Sequence, residues 1–411
     1  MRLNERIELK SSLEEFDQAS VDECKPISRD CYGWMCAPLA GLRKLTMHHS
    51  SVLKPVLVYL CAGLSVAGGM AQSRIATTPR GIDWRMYPAS SSRLDPALIN
   101  ALYSEMEADP HHDLKGIVIV RDGRLVSEHY FNGDSAETLD DIRSATKSIT
   151  ALAMGIAIDQ HLVGSVDDSI AAYLPGLPKD GKETIRIKDL LNMRSGLDAD
   201  DSDPSTPGNE DRLDESSDWM RSVYAVPMKR PAGSAYLYCS IDAFLAGAIV
   251  ENASHMALDA FIDRNLFAPL GIERYRWRHV PVDRTTGQGN LAITARDAAA
   301  IGELMLNDGR VDGKRLLSHA WVEQSLASQV SIHDSDPYAD SYGYMWYTRN
   351  EPVNGGSVLV HFASGNGGNK IYIAPSLHMV VSITSSAYNT KWGQRRSQDI
   401  LLKILAACNL K

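Results

Sequence analysis

One apolar segment organises the rest of this sequence. It reads Ser144-Ala145-Thr146-Lys147-Ser148-Ile149-Thr150-Ala151-Leu152-Ala153-Met154-Gly155-Ile156-Ala157-Ile158-Asp159-Gln160. Its large apolar residues recur at helical spacing, small alanines lie beside them, and Gly164 follows the last turn. The pattern predicts a helix from Ser144 to about Gln160 that is buried on most of its sides.

The predicted helix begins with a Ser-x-x-Lys tetrapeptide, Ser144 to Lys147. One helical turn separates the two side chains, so the lysine amine can hydrogen-bond the serine hydroxyl. Because the neighbouring residues are Ala, Met and Ile, we expect burial to lower the pKa of Lys147 and make it a base. The tetrapeptide alone is weak evidence, because Ser51-Val52-Leu53-Lys54 matches it as well. The alternative is a surface lysine on a first helical turn.

Strand-like runs lie on both sides of a helical middle region. Before it, residues 115–120 and 125–131 are joined by the turn Asp122-Gly123; after it come residues 358–362, 369–373 and 379–384. Helical patterns at residues 94–107 and 394–407 flank these strands. Strands from both ends can share one sheet only if residues 165–330 form an insertion. The predicted fold class is therefore α+β, an antiparallel sheet flanked by terminal helices with an inserted helical lobe.

A cleft is expected where the lobe meets the sheet, because ligand sites favour such junctions. The longest loop of the lobe is acidic and runs from Asp198 to Glu215. It is either a mobile lid over the cleft or solvated surface.

The first 71 residues differ in character from the rest. An apolar run at residues 55–68 follows Lys54 and is too short to span a bilayer. Gly69 and Ala71 place small residues at −3 and −1 of a cleavage point before Gln72. We expect residues 1–46 to be an upstream extension, 47–71 a signal peptide, and 72–411 the exported folded domain, periplasmic or secreted. The alternative is that the apolar run at residues 55–68 forms a peripheral helix or an uncleaved anchor.

Composition excludes several function classes. The 411-residue chain has a net charge of −9 and no basic run suited to a phosphate backbone, so nucleic acid is not an expected partner. Four of the six cysteines precede residue 62, which leaves neither a disulfide framework nor a cysteine zinc site in the body. The pairs His48-His49 and His111-His112 lack ligand spacing to carboxylates. No metal and no other cofactor is expected, and no Gly-x-Ser-x-Gly, Walker or dinucleotide motif occurs.

Two further elements carry candidate chemistry. The first is Pro231-Ala232-Gly233-Ser234-Ala235-Tyr236-Leu237-Tyr238-Cys239-Ser240, a turn-rich loop before an apolar helix. The second is Phe362-Ala363-Ser364-Gly365-Asn366-Gly367-Gly368, a strand ending in glycines that let backbone approach a ligand. Taken singly, they are compatible with a packed aromatic residue and an ordinary hairpin turn.

In this order and spacing, the three elements resemble the serine β-lactamase-like hydrolases. That family includes class C β-lactamases, D-Ala-D-Ala carboxypeptidases, certain esterases and 6-aminohexanoate-dimer hydrolase. The resemblance spans about residues 84–405, and three supporting stretches are similar to family motifs: Leu190-Leu191-Asn192-Met193-Arg194-Ser195-Gly196-Leu197, Ile293-Thr294-Ala295-Arg296-Asp297 and Tyr342-Gly343-Tyr344-Met345-Trp346-Tyr347. The resemblance implies the β-lactamase/transpeptidase-like fold.

The resemblance also implies roles for individual residues. Ser144 matches the nucleophile, Lys147 its partner, and Tyr238 the tyrosine that acts as acid and base, with Tyr236 as the competing assignment. The backbone N–H groups of Ser144 and Asn366 match the two donors that hold the developing oxyanion.

Departures from the family pattern bear on the substrate. The second motif is Tyr238-Cys239-Ser240 where β-lactamases have Tyr-x-Asn, and Ala363 stands where they have a Lys or His for the substrate carboxylate. Both changes disfavour strong β-lactamase activity. His361, on the same strand face by the period of two, is a candidate to restore the charge, or else a plain sheet histidine.

The predicted function is that of an exported serine hydrolase of small esters or amides, closest in motif to 6-aminohexanoate-dimer hydrolase. Expected substrate-binding residues are Ser240, Ser364, Gly365 and His361. The expected partner is a small molecule, and no part of the chain is expected to form a stable membrane span. The alternatives are a penicillin-binding D-Ala-D-Ala carboxypeptidase or β-lactamase, and a catalytically inactive envelope binding protein.

Overall fold

The computed structural model describes residues 82–281 and 284–408. The expected upstream extension and signal peptide lie outside the described residues, so their assignment stays a prediction. Among the described residues, no helix is both long and apolar enough to cross a bilayer.

An eight-stranded antiparallel sheet forms the centre of the fold, in the order β10-β11-β12-β13-β14-β15-β1-β2. The pairing of β1 with β15 joins the two ends of the domain, with Ile117 opposite Ile383. In the described part of the chain, three smaller sheets accompany it: β3-β7-β4, β5-β6 and β8-β9. The strands are Leu114–Arg121 (β1), Arg124–Tyr130 (β2), Asp140–Asp141 (β3), Arg276–Trp277 (β4), His279–Val280 (β5), Arg284–Thr285 (β6), Leu291–Ile293 (β7), Arg310–Val311 (β8), Lys314–Arg315 (β9), Val330–Ser331 (β10), Ser341–Gly343 (β11), Trp346–Val353 (β12), Gly356–Gly365 (β13), Asn369–Ala374 (β14) and Met379–Ser385 (β15).

Helices surround the sheet and build the inserted lobe. The two terminal helices α1 and α11 pack on each other, α9 packs against β1, β14 and β15, and α2 packs against α6 and β13. The helices are Pro96–Glu107 (α1), Ala145–Asp159 (α2), Ile187–Leu191 (α3), Glu210–Asp214 (α4), Trp219–Ala225 (α5), Ser240–Ser254 (α6), Leu258–Ile262 (α7), Ala268–Leu270 (α8), Ala295–Leu306 (α9), His319–Leu326 (α10) and Gly393–Ala406 (α11). The α+β fold with a helical insertion is confirmed.

Helix α2 is buried over nearly its whole length, as its composition predicts. Every residue from Ala145 to Ala157 is buried, including polar ones. These polar side chains are tolerated because they bond to backbone carbonyls of neighbouring segments. The hydroxyl of Ser148 donates to the carbonyl of Met345 at 2.6 Å, and that of Thr150 to the carbonyl of Gly287 at 2.6 Å.

The middle region differs from its sequence pattern in two respects. It is not helical throughout, because β4 and β7 form a small sheet with β3 directly before α2. The stretch 198–215 is neither wholly loop nor wholly solvated: it contains α4, and Thr206 and Asn209 are buried within it. The side-chain amide of Asn209 donates to the carbonyl of Asp200 at 3.0 Å, so the segment folds onto itself.

Candidate active site

A sharp turn of the backbone places Ser144 at the start of α2. Arg143 has a φ of 51°, the left-handed region that non-glycine residues seldom adopt. Its backbone N–H donates to the carboxylate of Asp141 at 2.8 Å, and Asp141 pairs in register with Ala292 of β7. Strain of this kind collects at functional sites where surrounding structure enforces it. The small sheet therefore fixes the half-buried Ser144 at a helix N-terminus.

Lys147 lies beneath Ser144 and is 2% exposed. Its Nζ donates to the hydroxyl of Ser144 at 2.9 Å, to that of Ser240 at 3.0 Å and to the carbonyl of Gln288 at 2.9 Å. Three acceptors match the three protons of an ammonium group.

The charge of Lys147 corrects one sequence-based prediction. Burial does act to lower the pKa of Lys147, but its electrostatic interactions with Tyr238, Glu210 and Asp201 raise it above its ordinary value. The prediction of a lysine with a lowered pKa considered only the apolar neighbours on α2, whereas the acidic groups come from other segments. Lys147 is therefore an ammonium ion in the resting site.

Tyr238, and not Tyr236, joins Ser144 and Lys147. The Nζ of Lys147 lies 5.1 Å from the centre of the Tyr238 ring. Burial raises the pKa of Tyr238, while the charge of Lys147 and hydrogen bonding to Ser144 act to lower it. The ring of Tyr236 packs edge-on against that of Tyr342, with centres 5.5 Å apart. The two tyrosines are only two residues apart in the chain, yet Tyr238 lies beside Ser144 and Lys147 while Tyr236 packs in an aromatic cluster.

The end of β13 approaches the nucleophile closely. A Cβ atom at Gly365 would lie 2.0 Å from the carbonyl oxygen of Ile142, so only glycine fits there. The side-chain carbonyl of Asn366 accepts from the N–H of Asn389 at 2.8 Å, and its backbone carbonyl accepts from the amide of Asn369 at 2.8 Å. Within residues 82–281 and 284–408, neither the N–H of Ser144 nor that of Asn366 has an acceptor in the chain. Both N–H groups are therefore available to a ligand.

A cavity of about 880 Å³ opens onto this cluster. Ser144 and Tyr238 line it together with Ser364, Gly365 and Asn366 from the strand end. The structure thus brings Ser144, Tyr238 and the predicted oxyanion donors to one surface. The roles of these residues remain a proposal.

Ser240 does not reach the cavity. It is fully buried, and its hydroxyl donates to the carboxylate of Asp201 at 2.8 Å while accepting from Lys147. The prediction that Ser240 contacts substrate is corrected, because its hydroxyl already has a partner on each side. Asp201 was missed by sequence reasoning: it lies among several acidic residues in the 198–215 stretch, and no pattern distinguishes it from them.

His361 also lies away from the cavity. It is 7% exposed, and its Nδ1 is 2.9 Å from the hydroxyl of Thr348 on β12. Burial lowers the pKa of His361 to about 4, so the imidazole is neutral. The prediction that His361 restores a positive charge is therefore wrong, and the sheet-histidine alternative holds.

Lys370 on β14 supplies a basic side chain that the sequence analysis missed. It lines the cavity, and its Nζ donates to the hydroxyl of Ser364 at 2.7 Å. Burial lowers its pKa to about 7. A signal existed, because the short turn of residues 366–368 sets Gly365 opposite Asn369 and thus Ser364 opposite Lys370.

Two supporting stretches meet behind the site. The side-chain carbonyl of Asn192 accepts from the N–H of Tyr344 at 3.2 Å, and the carbonyl of Leu191 accepts from the N–H of Met345 at 2.9 Å. Both Tyr344 and Met345 have positive φ, so these bonds hold a strained turn under α2. No group of three or more potential metal ligands occurs in the part of the chain that the structure describes.

Comparisons with known proteins relate this chain to a known family. Residues 105–403 match the family model described as Beta-lactamase. The 6-aminohexanoate-dimer hydrolase of Paenarthrobacter ureafaciens is 23% identical over 291 residues, which cover 66% of this chain and 71% of that protein.

Solved structures show the same fold at low identity. A penicillin-binding protein homologue from Caulobacter crescentus superposes with a TM-score of 0.62 at 19% identity, covering 76% of this chain and 97% of that one. A class C beta-lactamase superposes with a TM-score of 0.58 at 14% identity, covering 77% of this chain and 96% of that one. The predicted β-lactamase/transpeptidase-like fold is confirmed.

Proposed function

The chain belongs to the beta-lactamase family of serine hydrolases, and from this premise we propose that it hydrolyses small esters or amides through an acyl-enzyme on Ser144. The observation that carries the proposal is the meeting of Ser144, Lys147 and Tyr238 at a cavity beside the end of β13. A nucleophile, a proton acceptor and two free N–H donors are the parts that acyl transfer requires.

The hydrogen bonds suggest how the proton moves. Because the Ser144 oxygen accepts from the Lys147 ammonium, its own proton is free to pass to the Tyr238 oxygen. Burial holds the pKa of Tyr238 above its ordinary value, so the reactive form is the minor one in which Tyr238 has lost its proton to solvent and the adjacent ammonium stabilises the phenolate. This phenolate takes the Ser144 proton as Ser144 Oγ attacks the acyl carbon. Tyr238 then gives the proton to the leaving alcohol or amine. Water repeats the sequence on the acyl-enzyme and releases the acid.

The two backbone N–H groups have the complementary task. When the carbonyl carbon becomes tetrahedral, its oxygen gains negative charge, and the N–H groups of Ser144 and Asn366 are free to donate to it. The position of Ser144 at the N-terminus of the 15-residue helix α2 adds a favourable dipole.

The charge of the cavity narrows the substrate class. Two basic residues, Arg143 and Lys370, face six acidic ones, which are Asp200, Asp201, Glu210, Asp211, Asp214 and Asp336. A negative lining favours neutral or positively charged substrates over anionic ones. Linear amides with an amino group, of the kind that the name of the Paenarthrobacter ureafaciens relative describes, fit this preference.

The test is hydrolysis of p-nitrophenyl acetate and butyrate by residues 72–411, with the intact mass measured after rapid quench. We expect turnover and an acyl adduct on the wild-type protein, both absent from Ser144→Ala. Mono-p-nitrophenyl glutarate, an anionic ester, should react more slowly than the neutral butyrate. A folded protein with neither turnover nor adduct would contradict the proposal.

Export is part of the same proposal. Its support is the sequence of residues 47–71, a short apolar run with Gly69 and Ala71 before Gln72. Expression from Met47 in a bacterial host should release a mature protein that begins at Gln72, and Ala71→Lys should block that cleavage. An unprocessed protein with Met47 retained in both variants would contradict it.

A further inference from the structure

The hydroxyl of Ser240 connects the catalytic lysine to a carboxylate. Ser240 Oγ donates to Asp201 Oδ2 at 2.8 Å, and Lys147 Nζ donates to Ser240 Oγ at 3.0 Å. A serine hydroxyl has one proton. Since Asp201 receives that proton, the Ser240 oxygen can only accept from Lys147.

The other two partners of Lys147 are also hydrogen-bond acceptors. The carbonyl of Gln288 is an acceptor only, at 2.9 Å, and the Ser144 oxygen accepts at 2.9 Å. All three protons of the ammonium are therefore in use, and the Ser144 proton points elsewhere. If Ser240 instead donated to Nζ, Lys147 would have to carry a lone pair as a neutral amine.

We propose that Asp201 is a positioning residue that, through the Ser240 hydroxyl, fixes the direction of the hydrogen bonds at Lys147 and keeps its ammonium donating to Ser144. The inference rests on the proposed function, in which Lys147 is the partner of the nucleophile. A carboxylate is needed at this point because an ionised Asp accepts and cannot donate. An amide in its place could present its NH₂ to Ser240 and reverse the chain.

The segment that carries Asp201 is attached to the second motif. The N–H of Asp201 donates to the carbonyl of Tyr238 at 3.4 Å. The second oxygen of its carboxylate, Oδ1, is buried and has no partner among the described residues. One oxygen of Asp201 is thus committed to Ser240, while the other has no competing donor that would draw the carboxylate away.

Charged groups from several elements face Asp201. Burial raises the pKa of Asp201 to about 6, Lys147 of α2 acts to lower it, and Glu210 of α4 acts to raise it. Burial raises the pKa values of Asp242 on α6, of Cys239 at its N-cap and of Tyr238, and the charge of Asp201 adds to each rise. At neutral pH the Asp201 carboxylate is ionised, and acidification below about pH 6 removes its charge.

The direct test measures the pKa of Lys147 by NMR in protein labelled with ¹³C at lysine Cε, with the resonance assigned by Lys147→Arg. In Asp201→Asn the pKa should fall by at least about one unit, the lower end of what an adjacent opposite charge contributes. Asp203→Asn is the matched control: Asp203 accepts from the Ser205 hydroxyl at 2.6 Å in the same segment and does not line the cavity. It should leave the Lys147 titration and the activity unchanged.

A second variant and a pH profile complete the test. Ser240→Ala keeps the Asp201 carboxylate but removes the hydroxyl that connects it to Lys147, so it should also lower the pKa of Lys147. Thermal unfolding of both variants checks that they are folded. In wild type we expect kcat/KM to fall on acidification near pH 6, and this fall should be absent from Asp201→Asn. The plateau value of kcat/KM should also be at least about ten-fold lower in Asp201→Asn, which is the equivalent of one pKa unit. An unchanged Lys147 titration in a folded Asp201→Asn protein would overturn the inference. A shifted titration in a protein without esterase activity would instead support the inference and contradict the proposed function.

Discussion

Replacing Gly365 by alanine should disable the site while leaving the fold intact. The added Cβ would lie 2.0 Å from the Ile142 carbonyl oxygen, about 1.4 Å short of ordinary contact at 3.4 Å. It would also lie 3.1 Å from the Ile142 carbonyl carbon and 3.2 Å from the N–H nitrogen of Ala145. The obstacles are backbone atoms that cannot rotate away, so the end of β13 must move from the start of α2.

That displacement is of the order of one ångström, and it separates the N–H of Asn366 from that of Ser144. Losing one oxyanion donor typically costs a factor of about 10²–10³ in kcat, or about 2.7–4 kcal/mol of transition-state stabilisation. We expect Gly365→Ala to lower kcat for p-nitrophenyl butyrate by that factor with a smaller change in KM.

A control exists on the same strand. At Gly356, the other end of β13, an added Cβ would meet only the Val353 carbonyl oxygen, at an ordinary 3.7 Å. Gly356→Ala should therefore retain wild-type kinetics, and both variants should unfold cooperatively. A folded Gly365→Ala protein with kcat within about two-fold of wild type would refute the assignment of this strand end to the oxyanion site.

Three further predictions concern the site and its surroundings. Ser144→Ala should abolish ester turnover, while Lys147→Ala and Tyr238→Phe should each lower kcat/KM at least about 10²-fold, the usual scale for a positioned acid–base group; near-normal rates would remove that residue from the mechanism. Burial lowers the pKa of Lys370 from 10.5 to about 7. Between these two pH values the unfolded chain binds more protons than the folded protein, so the free energy of unfolding rises with pH. The non-titrating Lys370→Met should therefore unfold at a higher temperature than wild type at pH 7, with the difference shrinking towards pH 10; an equal difference at both pH values would contradict the buried-amine explanation. A fluorescent penicillin should not label Ser144, because Ala363 removes the usual cation and the cavity is acidic; a labelled band that is lost in Ser144→Ala would support the carboxypeptidase alternative.

The sequence predicts local features of this site better than contacts between distant segments. Ser144 and Lys147 could be placed because one helical turn relates them, and the buried face of α2 follows from its apolar spacing. Tyr238 could be placed only through the family resemblance, in which it matches a short motif just before a second helix. Each of these predictions depends only on residues close together in the chain.

What the sequence could not provide are the partners that arrive from elsewhere. The ammonium state of Lys147 depends on Asp201 and Glu210, which come from the lobe. Strand β12, which lies between β11 and β13, was not predicted, because Arg349, Asn350 and Glu351 interrupt its apolar alternation. Glu351 is buried there, and its carboxylate accepts from the Gln398 amide of α11 at 3.0 Å. Such pairs satisfy polar residues only once the tertiary structure has formed.

The pairing of β1 with β15 also determines when the enzyme can first act during its own synthesis. Ile117 cannot pair with Ile383 until that residue has been synthesised, and the end of β13 that precedes Asn366 is synthesised long after Ser144. Contacts so distant in the chain form late and slowly in folding. A ribosome-bound chain that ends shortly after Tyr238 therefore contains the serine, lysine and tyrosine but lacks the second of the two proposed oxyanion donors, the N–H of Asn366. The proposed site is complete only when the last strands have been added, so an incomplete product of translation lacks part of it.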